Sequence, residues 1–95
     1  MTTKTREWDP AEALDTPERI ALYLEAVFED GDASLIAAAI GDAARAHGMT
    51  KLANDTGLAR EALYRALSSE GNPEFATVLK VLDALGIKLT PQRAA

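Results

Sequence analysis

Arg60, Glu61, Tyr64 and Arg65 follow Gly57 at offsets that place them on one side of a helix, because residues three and four apart are neighbours on a helical surface. The chemistry open to this set is hydrogen bonding to nucleic-acid base edges and phosphates. Arginine can fork two donors toward guanine, glutamate can accept from cytosine or orient an arginine, and tyrosine can reach phosphate or pack on a thymine methyl. Thr50 and Lys51, upstream of the glycine, are candidates for phosphate contacts that set register. The same spacing also suits a plain i, i+4 surface ion pair between Glu61 and Arg65.

The stretch from Met49 to Leu67 reads as helix, tight turn, helix. Leu52 and Ala53 form the inner side of a first helix over 49–57, and Gly57 stands where a left-handed turn is needed. Leu63, Ala66 and Leu67 anchor a second helix over about 59–68 that turns its long polar side chains outward. This is the arrangement that major-groove readout requires.

Other chemistry is poorly supplied. His47 is the sole histidine and falls at a helix end, where an imidazolium meets the helix dipole favourably, so a capping or surface role is expected. The acidic group Glu29, Asp30 and Asp32 lacks the spacing of a calcium loop, and the glycines are scattered singly, without a phosphate-binding loop. With no cysteine there is no thiolate catalysis, disulfide or Cys-based zinc site. An enzyme is not expected, nor a metal or cofactor.

The remaining elements support the central pair. Residues 1–16 read as an N-terminal arm carrying Trp8, a ring more often docked than left in water; residues 17–95 form the helix-turn-helix domain. Thr16, Pro17 and Glu18 announce a helix to about Asp30, with Ile20, Leu24, Val27 and Phe28 on one stripe and Tyr23 beside it. A second helix spans roughly Ala33 to Ala46, with Leu35, Ile36, Ala39, Ile40 and Ala43 inward. A closing helix from about Glu74 to Leu85 repeats Phe75, Val78, Leu79, Leu82 and Leu85 at helical spacing, and Gly86 caps it. The tail Ile87-Lys88-Leu89-Thr90 alternates apolar and polar, so a short C-terminal strand is an option, pairing with a twofold-related copy.

A chain of 95 residues has room for one such domain. Apolar residues are 47% but aromatics only 5%, which favours an all-α core of Ala, Leu, Ile and Val. No apolar leader segment and no run of about 18 apolar residues occurs, so a cytoplasmic protein with no membrane partner is expected. The net charge is −5, but unevenly spread: residues 1–44 hold three basic and ten acidic residues (−7), residues 45–95 seven basic and five acidic (+2). An acidic first half joined to a mildly basic second half suggests two partners of opposite charge.

These segments resemble a known family. Gly57-Leu58-Ala59-Arg60-Glu61-Ala62-Leu63-Tyr64-Arg65-Ala66-Leu67, then Gly71-Asn72-Pro73 and Val78 to Gly86, are similar to the reading and closing helices of HigA-type helix-turn-helix antitoxins. These are addiction module antidote proteins with a domain like that of phage repressors (XRE/Cro). The resemblance extends to Asp9-Pro10-Ala11-Glu12, Leu14-Asp15-Thr16-Pro17-Glu18 and Gly41-Asp42, nearly the whole chain. It implies a homodimeric antitoxin that neutralises a basic RelE-, ParE- or HigB-like toxin and represses its own operon by binding double-stranded operator DNA. Arg60, Glu61 and Arg65 match the family's base-facing positions, and Tyr64 and Lys51 its flanking or phosphate positions. Ala59 departs from the Ser or Thr cap of many relatives, a loss of about 1 kcal/mol of capping. Gly48-Met49-Thr50 replaces their longer helix opening.

On charge, Glu25, Glu29, Asp30 and Asp32, together with Trp8 of the arm, are the candidate toxin contacts. A helix-turn-helix transcriptional regulator without a toxin partner, and a helical module that binds no nucleic acid, are the alternatives.

Overall fold

The structure, a computed structural model, describes residues 9–94. It is all-α, as expected: a 3-10 turn at Pro10–Ala13 leads into α1 (Pro17–Asp30), α2 (Ala33–His47), α3 (Met49–Thr56), α4 (Arg60–Ala66) and α5 (Phe75–Ala84). The start of α1 follows from its sequence. Thr16 is extended, its hydroxyl accepts from the Arg19 amide at 3.1 Å, and Pro17 opens the first turn. Asp32 caps α2 by accepting from the Ser34 and Leu35 amides at 2.9 and 3.2 Å.

Helix α2 is the central element, packed against the 3-10 turn, α1, α3 and α4. Its buried residues are Ala37, Ala39, Ile40, Gly41, Ala43 and Ala44, mostly small, which lets four neighbours approach one helix. The closest approach is at Gly41, where a Cβ would collide with the Leu67 carbonyl oxygen just beyond α4. Leu24, Ile40, Leu52, Leu63, Val81 and Leu82 are the largest fully buried side chains. Each contributes roughly 1.5–3 kcal/mol of burial, and together they tie α1, α2, α3, α4 and α5 into one cluster.

Several expectations need correction. The closing helix turns Val78, Val81, Leu82 and Leu85 toward the core, leaving Phe75 66% and Leu79 42% exposed. Apolar residues cover more of α5 than one face can bury, and the face chosen is the i, i+3, i+4, i+7 set that meets α3. Leu35, in the first turn of α2, is exposed as well, and Ala37 and Ala44 are buried in that helix. Residues 87–90 form no strand, because a single extended segment here has no neighbouring strand to exchange hydrogen bonds with. At the other end, Leu14 is buried in the core and the Pro10–Ala13 turn packs on α2. Trp8 lies outside the described residues.

Candidate nucleic-acid interface

The turn between α3 and α4 is built from three local features. Gly57 takes φ 77°, ψ 11°, a left-handed conformation that costs glycine little. Just before it, the Thr56 hydroxyl donates to the Leu52 carbonyl at 2.8 Å and accepts from the Leu58 amide at 3.2 Å, stitching the end of α3 to the turn. Leu58 packs against the core, and Ala59 is the extended cap residue of α4 (φ −70°, ψ 141°) with no side-chain bond to the helix. The missing cap is therefore real. Helix α4 is held mainly from its inner side, by Leu63 and Leu67.

That anchoring leaves Arg60, Glu61, Tyr64 and Arg65 exposed on α4, with Thr50 and Lys51 exposed on the adjoining first turn of α3. Arg60 is not loose. Its Nη1 donates to Thr50 Oγ1 at 3.3 Å, and its Cζ stands 5.8 Å from the centre of the Tyr64 ring. The alternative reading of Glu61 and Arg65 as a surface ion pair has no counterpart among the described ion pairs, so both side chains keep their polar ends for solvent or a partner. An open recess lined by Ala59, Arg60, Glu61 and Tyr64 lies at the start of α4. Chemically, the face offers two guanidinium forks, one ammonium, one carboxylate and a phenol, a set able to meet phosphates and base edges.

The acidic candidates sit elsewhere. Glu25, Glu29 and Asp30 are exposed on α1, whose main packing partner is α2. Glu18, Leu22, Glu25 and Glu29 follow one another at four, three and four residues, so they share one outward stripe, with Leu22 65% exposed among the carboxylates. Asp32 is exposed too, but its carboxylate is engaged in capping α2.

A second polar constellation joins Asp9, just before the 3-10 turn, to α1 and α2. Arg45 Nη2 donates to Asp9 Oδ1 at 2.7 Å and to Asp42 Oδ1 at 2.9 Å, and the Tyr23 hydroxyl donates to Asp42 Oδ2 at 2.7 Å. The Arg45 hydrogen bond, aided by the Ala11 amide, holds the Asp9 carboxyl below its ordinary value. Burial and the Asp42 carboxylate push the Tyr23 phenol up to about 12. Burial works against the charge on Arg45, but the two carboxylates outweigh it and its pKa is raised. His47 closes α2, half-buried, with its Nε2 enclosed and unpaired.

Three contacts escape a reading of sequence. Thr56 carries a local signal, a hydroxyl residue one before the turn glycine. Tyr23 and Asp42 are separated by 19 residues, and Thr50 and Arg60 by 10, so only the packing of two helices brings each pair together. Among the described residues no group of three or more His, Asp or Glu is placed to hold a metal ion, and no helix is long and apolar enough to cross a membrane.

Comparison with known proteins bears on what these surfaces serve. No solved structure matches the chain. A protein of Haemophilus influenzae (strain ATCC 51907 / DSM 11121 / KW20 / Rd), described only as uncharacterized, is 45% identical over 94 residues, covering 99% of this chain and 97% of that protein. A family model described as "probable addiction module antidote protein" matches residues 4–93, which takes in both the acidic α1 and the α3–α4 pair. The chain belongs to the family of probable addiction module antidote proteins.

Proposed function

We propose that this antidote protein is the HigA-type antitoxin of a type II toxin–antitoxin module, acting in the cytoplasm on two partners. It binds and neutralises a basic RelE-, ParE- or HigB-like toxin, and as a homodimer it represses its own operon through α4 in the major groove of operator DNA. The observation that carries the DNA reading is the outward set Arg60, Glu61, Tyr64 and Arg65 on a helix anchored from its inner side by Leu63 and Leu67. A twofold pair would present two such helices about 34 Å apart, one turn of duplex. The exposed apolar pair Phe75 and Leu79 supports a second copy, since contiguous apolar surface of this kind is commonly covered.

The toxin reading rests on family membership together with charge. The α1 stripe of carboxylates around Leu22 suits a cationic partner, and it is carried by a different helix from the DNA-facing set, so both partners have a surface. Co-expression with the basic protein encoded beside this gene tests it. The wild-type chain should restore growth, and combined Glu25→Lys, Glu29→Lys and Asp30→Lys should abolish rescue without unfolding the domain. Full rescue by the triple variant would move the toxin contact off α1. No rescue by the wild-type chain would leave a transcriptional regulator without a toxin partner.

A further inference from the structure

We infer that Arg60 is a specificity-determining, guanine-reading side chain held in place before DNA arrives by two positioning residues, Thr50 and Tyr64. This deepens the proposed DNA binding and rests on it. Arg60 opens α4, in the part of a reading helix that meets base edges first. Its guanidinium is constrained from two sides: the Thr50 hydroxyl on α3 accepts one hydrogen bond at 3.3 Å, and the Tyr64 ring, one turn along α4, lies 5.8 Å from Cζ.

An arginine has five N–H donors in a planar fork. The bond to Thr50 uses one and no other hydrogen bond engages the guanidinium among the described residues, so enough donors remain for the bidentate grip on guanine O6 and N7. Immobilising a long side chain beforehand reduces the ordering that binding would otherwise impose. Lys51 and Arg65, exposed and with no side-chain bond or ring contact among the described residues, have no comparable restraint and suit phosphates, which tolerate loose geometry. Thr50 thereby gains a second role beside the phosphate contact the sequence suggests: its oxygen accepts from Arg60, and its O–H remains to donate. The operator half-site is thus expected to carry a guanine facing the start of α4.

The test begins with selection of duplexes from a randomised pool by the full-length chain. Each guanine of the selected half-site is then replaced in turn by 7-deazaguanine, which lacks the N7 acceptor. One position should weaken wild-type binding by about tenfold or more, and Arg60→Ala should be indifferent to the same replacement. Thr50→Val and Tyr64→Leu should each reduce discrimination at that position about two- to fivefold, whereas Thr50→Ser and Tyr64→Phe retain it. Melting curves establish that the variants are folded. If Arg60→Ala instead weakens all duplexes alike and lowers the salt slope by about one, Arg60 is a phosphate contact and the inference fails. Thr50→Val that weakens all duplexes alike with guanine discrimination intact overturns the positioning role. If the wild-type chain selects no sequence, the proposed DNA binding falls, and this inference with it.

Discussion

Gly41 of α2 and Leu67, the residue that closes α4, meet without room for a side chain between them: a Cβ on Gly41 would run into the Leu67 carbonyl oxygen. The contact fixes how far α4 stands from the central helix. In an open helix, glycine to alanine would be stabilising by about 0.5–1 kcal/mol. Here the obstacle is backbone, which cannot rotate away, so overpacking of about 1–3 kcal/mol should prevail. Gly41→Ala is expected to lower the melting temperature, by about 4–8 °C for each kcal/mol in a domain of this size. An unchanged or higher Tm would show that α4 moves aside freely.

The uncapped start of α4 gives a change of opposite sign. Ala59 already has the extended backbone of a cap residue, lacking only an oxygen. Ala59→Ser should supply one and stabilise the chain by about 0.5–2 kcal/mol, read as a rise in the urea midpoint with the slope unchanged.

Arg45 links Asp9, the cap residue of the Pro10–Ala13 turn, to Asp42 of α2. Its side chain and that of Asp9 are about two-fifths exposed, so solvent screens the pair and it adds little to stability. Arg45→Met should therefore lower the melting temperature only modestly, chiefly because Asp42, whose side chain is 15% exposed, keeps only the Tyr23 hydroxyl as partner. It should nevertheless speed hydrogen exchange at the Leu14 amide, which bonds the Ala11 carbonyl at 3.2 Å in the turn that Asp9 begins. Unaltered exchange would mean that Leu14 burial alone holds this turn.

The same constellation sets the response to pH. With the folded Tyr23 pKa raised to about 12 from 10.0, its contribution is fully present below pH 10 and is lost as pH rises toward 12. Asp9 works in the other direction: lowered from 3.8, it contributes above that value and loses its contribution as pH falls below it. Urea unfolding of Tyr23→Phe against wild type should show a shallower decline of stability between pH 10 and 12. A parallel decline in both proteins would remove Tyr23 from the account.

What the sequence discloses about this molecule is local. Thr16-Pro17 at the head of α1, Gly57 in the turn and Ala59 at the uncapped start of α4 behave as their chemistry dictates, because each acts on backbone within a few residues. The exposure of Arg60, Glu61, Tyr64 and Arg65 follows equally from the burial of Leu63 and Leu67. Helix α5 shows where such reading stops. Its apolar residues fill too wide an arc for periodicity to choose between Val81 and Leu79, and only packing against α3 decides. The Thr50–Arg60 and Tyr23–Asp42 bonds are likewise products of tertiary packing, with no trace in local spacing.

The central claim is that α4 reads DNA. Fluorescence anisotropy with a duplex from upstream of this gene and a scrambled duplex, each titrated at two salt concentrations, tests it most directly. The wild-type chain is expected to prefer the upstream duplex, and Arg60→Ala and Arg65→Ala, with melting curves unchanged, to bind it about tenfold or more weakly. Equal binding of the two duplexes by the wild type, or undiminished binding by both variants, would contradict it.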